Sequence, residues 1–357
     1  MTIRSRYRWS LRGVAVAAML MTLGATLGTI PAGASPPAPA LSLVPAVVTP
    51  EAVIPIAVRW PWLIISDGND IWILAAAPGT CALCPSSTTV ARIDPGTNLV
   101  AVSVDLGTPD EIDHAAVGGG GLWIADFDAS TVLKLDPVSL RLLDTIPVGP
   151  NPEGIAYVDG SVWVAEHRGG TVSSIDAATD RVTSTVTVGR KGASGPNQLG
   201  IGDGSVWVGI PNEAQVVRID AQTGAVQARV DLPGTSEPDG GGFGISGDAV
   251  WGTVCAATCL VSRIDPATDA VMATIDLGGL PDDATMVNGA PWIARGPIGD
   301  LPGALVHIDP ATDMADRTVS PAPDFSDGDM VFAADSWWLS DPANQRVLRL
   351  PASALNG

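Results

Sequence analysis

The sequence predicts an all-β fold, a seven-bladed β-propeller of four-stranded antiparallel blades. Three observations predict it. Trp72, Trp123, Trp163, Trp207, Trp251, Trp292 and Trp338 are separated by 51, 40, 44, 44, 41 and 46 residues, and a repeat of that length belongs to propellers or solenoids. Each tryptophan sits in a short strand-like phrase such as Ser161-Val-Trp-Val or Ser205-Val-Trp-Val, and a second phrase follows most of them: Arg92-Ile-Asp-Pro, Lys134-Leu-Asp-Pro, Ser174-Ile-Asp-Ala, Arg218-Ile-Asp-Ala, Arg263-Ile-Asp-Pro, His307-Ile-Asp-Pro. Glycine (40) and proline (30) are too abundant in 357 residues for a helical protein, and no helical periodicity of useful length follows the N-terminal segment.

The elements follow in chain order. Residues 1–34 read as a secretory signal: Arg4, Arg6, Arg8 and Arg12 precede an uncharged run from Gly13 to Ile30, and Ala32-Gly-Ala34 offers small residues for cleavage. The alternative for this segment is a retained anchor. Residues 35–50 hold five prolines and read as a stiff linker. Residues 51–357 form the propeller. In the third unit Gly154–Val158 ends at Asp159-Gly160, a hairpin signal; Ser161–Ala165 and Thr171–Ile175 alternate; Arg181–Val188 is a β-branched run closed by Gly189. Four such strands, seven times over, make seven blades. The last unit stops after its third strand. Val53-Ile-Pro-Ile56 resembles Thr145-Ile-Pro-Val148, so residues 51–57 are expected to complete blade seven as its outer strand, where an edge tolerates proline.

Charge narrows the partners. Lys and Arg number 19 against 38 Asp and Glu, a formal charge of −19. Nucleic acid needs a basic stripe and is excluded. After signal cleavage no membrane span remains, and a secreted or extracytoplasmic monomer is expected.

The phrase Gly/Ser-x-Val-Trp-Val followed by x-Ile-Asp-Pro-x-Thr-x-x-Val resembles the YVTN-type bacterial propeller repeats, and more distantly the streptogramin (virginiamycin B) lyase propellers, over about residues 51–357. The resemblance implies a bacterial, WD40/YVTN-like repeat protein and says little of activity, because one scaffold hosts many functions. Streptogramin lyases work as metal-dependent eliminations with a histidine base. Their Leu-Trp-Phe-Thr-Glu type phrase is absent here, so no catalytic residue carries over.

The seven tryptophans are expected to pack between blades. Asp94, Asp136, Asp176, Asp220, Asp265 and Asp309 begin the turn between third and fourth strands, where an aspartate caps downstream amides. Cys81/Cys84 and Cys255/Cys259 read first as two small disulfides, each worth about 2 kcal/mol, with redox and zinc roles as alternatives.

The resemblance also implies that inner strands begin, and second strands end, on one face. Counting from each tryptophan places Trp62, Asp113, Glu153, Asn197, Gly241, Asp282 and Gly328 at inner-strand entrances, beside His114, Gln198, Asp239, Asp283, Asp327 and Asp329. Second strands exit at Asp126, Glu166, Arg295 and Asp341, followed in blade three by His167 and Arg168. The mouth of the channel is therefore expected to be acidic. Ligand contacts are expected from Trp62, Asp113, Glu153, Asn197, Asp282, Asp126, Arg295 and Asp341. Crowded carboxylates would welcome a hard cation, Ca2+ or Mg2+, with Asp113, Glu153 and Asp282 as candidate ligands; acids solvated around a wide mouth are the alternative. His114, His167, Glu153 and Glu166 are candidate catalytic groups, since a histidine beside a carboxylate can take a proton. Two functions result: a secreted, non-catalytic propeller presenting its acidic mouth to a small molecule, cation or protein, or a metal-assisted lyase or hydrolase.

Overall fold

The structure, a computed structural model, describes residues 45–357 except 58, 82–83, 108–111, 113, 193–194, 234–242, 247, 256–258, 278–280, 297–302, 326–327 and 356–357; for 59, 76–81, 84–86, 246, 254–255, 259 and 281–283 only the backbone is described. The expected signal segment and most of the expected linker thus lie outside the described residues. Among the described residues no helix is long and apolar enough to cross a membrane.

Seven antiparallel sheets follow one another along the chain. Blade one runs Arg59–Ser66, Ile71–Cys81, Cys84–Asp94 and Leu99–Asp105. Blade three, the most regular, runs Pro152–Val158, Ser161–Glu166, Thr171–Asp176 and Arg181–Thr187. Successive inner strands touch, and the inner strand of blade seven (Met330–Ala333) touches that of blade one, which closes the ring. Closure is also made by strand exchange. Ala52–Pro55 is the outer strand of blade seven, with Val53 opposite Leu348 and Pro55 opposite Arg346, as the sequence predicts. Ala46–Val47, within the stretch read as linker, adds a short parallel fifth strand to the outer edge of blade six.

The repeated tryptophans are the core. All seven are no more than 2% exposed. Each lies between its own blade and the next: Trp163 packs with Val206 and Val208 of blade four, and Trp123 with Val162 and Val164 of blade three. A second recurring contact crosses the same boundaries. The basic residue of the third strand stacks on the tryptophan and reaches the turn of the following blade. Lys134 Nζ lies 4.6 Å from the Trp123 ring centre and donates to Ala177 O and Asp180. Arg218 does the same over Trp207 to Pro266 O and Asp269, Arg263 over Trp251 to Pro310 O and Asp313, and Arg349 over Trp338 to Pro95 O and Asn98. The last of these joins blade seven to blade one. Asn98, Asp180, Asp269 and Asp313 all have φ between 55° and 58°, a left-handed conformation that asparagine and aspartate tolerate.

The turn aspartates act as expected. Asp176 Oδ1 accepts from the Ala178 and Thr179 amides and the Thr179 hydroxyl, and Asp220 Oδ1 from Gln222 and Thr223 in the same way. His307, in the arginine slot of blade six, stacks against Trp292 at 4.9 Å and bonds Asp316.

Candidate functional site

Blade geometry gathers inner-strand starts and second-strand ends at one end of the channel. Pro152 pairs with Glu166, Gln198 with Gly209, and Pro281 with Arg295. These are the strand ends at which the sequence reading places the mouth.

Its best-built part spans blades two to four. His114, nine residues before Trp123, meets Gln198, nine before Trp207: His114 Nε2 lies 3.0 Å from Gln198 Oε1. The equivalent residue of the intervening blade is Gly154. A Cβ there would stand 2.7 Å from Asn197 O and 3.1 Å from Gln198 Cα, so only glycine lets blade three seat against blade four. The amide–imidazole contact assigns the Nε2–H tautomer when Gln198 presents its oxygen. His114 Nδ1 is then a bare lone pair, buried and without a hydrogen-bond partner.

In blade three, His167 Nδ1 lies 3.2 Å from Glu153 Oε2, within ion-pair distance but off the line of a hydrogen bond. Glu153 is 5% exposed. The backbone holds His167 firmly: its amide donates to Asn151 O at 2.9 Å, and Asn151 Nδ2 donates to Phe127 O at 3.1 Å. The Phe127 ring stands 6.4 Å from the His167 ring. Gly195, in the entry loop of blade four, packs on the His167 carbonyl where a Cβ would collide.

Two further side chains have unmet polar atoms. Asn197 is 1% exposed, and neither its Nδ2 nor its Oδ1 has a hydrogen-bond partner. Arg295, in blade six, is also buried, with Nε and Nη2 unpartnered; burial pushes its pKa down from the usual arginine value. An unsatisfied buried polar group costs about 1–3 kcal/mol.

The acids are more occupied than a charged rim would require. Asp126 Oδ1 accepts the Ala129 amide. Glu166 accepts the Gly149 amide at 2.8 Å and the hydroxyls of Thr171 and Ser173. Asp341 is fully buried and bound by Arg346 Nε at 2.6 Å and by Asn344; burial raises its pKa against the opposing pull of Arg346. Asp329 ties blade seven to blade one by accepting the Ile64 amide. Trp62 is half-buried at the start of blade one and Arg168 is exposed. Asp113, Asp239, Gly241 and Asp327 lie outside the described residues, as do the side chains of Asp282, Asp283 and all four cysteines. Among the described residues no group of three or more His, Cys, Asp or Glu is placed to hold a metal ion. Of the expected cation ligands only the Glu153 side chain is described, and it faces His167.

Sequence reading missed a cleft of about 660 Å³ between blades two and three, with Glu166 at its base. Its signal is the hydroxyl alternation Thr171/Ser173 and Thr185/Thr187.

A family model described as glutamine cyclotransferase matches residues 86–240, which run from the third strand of blade one to past the end of blade four. No curated protein matches. Among solved structures, a streptogramin B lyase is similar over 84% of this chain and 96% of its own, with 15% identity and a TM-score of 0.65. A catalytically inactive histidine variant of virginiamycin B lyase from Staphylococcus aureus with quinupristin is similar over 84% and 97%, at 13% identity and a TM-score of 0.65. Hydrazine synthase of Kuenenia stuttgartiensis is similar over 84% and 98%, at 15% identity and a TM-score of 0.61. At these identities the likeness shows the propeller fold.

Proposed function

We propose that the chain is an exported binding protein whose channel mouth over blades two to four takes a small ligand bearing a carboxamide or peptide amide. One observation carries the reading: Asn197 buries both amide atoms with no partner, next in sequence to the Gln198 that holds His114. A ligand amide supplies one donor and one acceptor, the pair that Asn197 lacks, and relieves a desolvation penalty already present in the free protein. The glutamine named in the matching family's description ends in a carboxamide of this kind. The test is calorimetric titration with a glutaminyl tripeptide. Asn197→Leu is expected to abolish binding and leave stability equal or higher, because the unmet atoms are gone. Absence of saturable binding by the unsubstituted protein, or unchanged binding in the variant, refutes it.

A second reading, the metal-assisted lyase or hydrolase, is favoured by the His167–Glu153 contact and the bare Nδ1 of His114, either of which suits proton abstraction. Opening of quinupristin by the protein with added Mg2+, lost in His167→Ala, would support it; no turnover would remove it.

Export and two disulfides belong to the same proposal. The register sets Cys81 opposite Cys84 and Cys255 opposite Cys259 across their hairpins, the pairing that cross-strand disulfides use. Intact mass before and after reduction, four hydrogens apart, tests them.

A further inference from the structure

The cleft between blades two and three lies on the sheet face that blade three turns toward blade two, the face of Val162 and Val164. It coincides with a change of residue type. In the third strand, the position before the tryptophan's cross-strand partner is Ala91, Leu133, Val217, Val306 or Leu348 in blades one, two, four, six and seven, all buried, and a serine, Ser262 or Ser173, in blades five and three. Two residues earlier blade five returns to Leu260, whereas blade three has Thr171. Ser173 bonds Thr185 across the next strand at 2.9 Å, and Thr171 stands opposite Thr187. An apolar boundary has become a wall of hydroxyls.

At its base Glu166, 1% exposed, accepts three hydrogen bonds, two at Oε1 and one at Oε2. Oε2 keeps a free lone-pair direction by that count. Among the described residues no Lys, Arg or His is within ion-pair distance of Glu166, so its charge has hydroxyl and amide donors but no counter-ion. Lys191 lines the opening and is exposed. Pro147, Pro150 and Val182 supply apolar surface between the two.

We infer that this cleft is a second binding site, separate from the channel mouth, for a small zwitterion such as a free amino acid or dipeptide. Its ammonium group pairs with Glu166 at the base and its carboxylate with Lys191 at the opening. A fixed negative group deep in the cleft and a mobile positive one outside select for both charges on one short molecule. The hydroxyls of Thr185 and Thr187 bond either end, and the apolar wall takes the aliphatic part. Ionised partners make these contacts stronger than neutral hydrogen bonds.

The test titrates the whole protein with glycylglycine, ethylamine and acetate, followed by saturation-transfer NMR. Glycylglycine is expected to bind saturably, and each single-charge probe about tenfold more weakly. Glu166→Gln should weaken glycylglycine and ethylamine about tenfold, whereas Lys191→Ala should weaken glycylglycine and spare ethylamine. Lys191 is exposed, so its variant carries the test if Glu166→Gln does not fold. Non-saturable glycylglycine binding overturns the inference, as does binding that ignores the Lys191 change. Loss of glycylglycine binding in Asn197→Leu would move the site to the channel mouth and equally overturn it.

Discussion

Arg349→Met tests whether the blade-to-blade clasp, as well as the strand latch, holds the ring shut. Arg349 Nη1 donates to Pro95 O at 2.7 Å and Asn98 Oδ1 at 2.9 Å, Nε donates to Ser336 at 2.9 Å, and the guanidinium lies 5.0 Å from the Trp338 ring centre. Its side chain is 19% exposed. Two charge-assisted bonds across the boundary and one cation–π contact, less the packing that methionine recovers, amount to about 3 kcal/mol. For a domain of this size that lowers the thermal midpoint by about 5 °C. The control is Arg92→Met. Arg92 fills the same repeat slot, but it bonds Asp70 of its own blade at 2.8 Å. Such a partly exposed pair is worth less than about 1 kcal/mol. Tryptophan fluorescence during heating at one scan rate reads both variants. Equal shifts would refute the reasoning, since the argument depends on Arg349 crossing a boundary that Arg92 does not.

Four further outcomes are expected. Ile54, in the outer strand of blade seven and 3% exposed, should cost about 3 kcal/mol as Ile54→Ala, measured by denaturant titration; deletion through residue 57 should expose the edge of Arg346–Pro351 and speed proteolysis there. Hydrogen bonds from the turn Ser and Thr residues and backbone amides hold Asp136, Asp176, Asp220, Asp265 and Asp309 below the ordinary carboxylate pKa. The folded state therefore binds these protons more weakly than the unfolded chain. The stability so gained is present above the unfolded value and lost as pH falls through the lowered folded values. Thermal midpoints from neutral to acid pH should fall in that window, and Thr179→Val with Thr223→Val should flatten the fall. Gly154→Ala, whose new methyl meets Asn197 O, should lower the midpoint and alter the His114 imidazole resonances.

The architecture was legible because its causes repeat. A tryptophan between every pair of blades and an aspartate at the third turn of six of them are periodic demands, and the N-terminal latch follows from one missing strand. The clasp was not read, because it is a pairing between successive repeats and not a feature of any one of them. Lys134, Arg218, Arg263 and Arg349 precede, by one blade, a turn ending in Asp180, Asp269, Asp313 or Asn98. Where that residue is Leu140 or Gly224, with φ of 57° and 72°, the preceding slot holds Arg92, which pairs within its own blade, or Ser174. Donor and acceptor are lost together at Ser174 and Gly224, whereas Arg92, facing Leu140, turns to Asp70 instead. The functional mouth repeats nothing. His114, Gln198 and Gly154 occupy equivalent positions with unlike residues, and their contact comes from an absent side chain in the middle blade, which counting cannot reveal.

The fate of the expected acidic rim follows from strand alternation. Glu166 is three residues past Trp163, an odd step, so the two lie on opposite faces of the sheet. Trp163 packs toward blade four. Glu166 must then face blade two, where Gly149 in the connection from that blade meets it. Asp126, Arg295 and Asp341 stand at the same step from their own tryptophans, and all three are buried. A second-strand residue gains the channel mouth only once the chain has left the sheet. His167 is the first residue to do so in blade three, and it is His167, not Glu166, that meets Glu153. Chemistry at the mouth therefore comes from inner-strand entrances and first loop residues. Charges one step earlier are buried away from it, either in structural pairs within a blade such as Asp341 with Arg346 or, where the neighbouring strand offers hydroxyls instead of apolar side chains, as the base of a cleft.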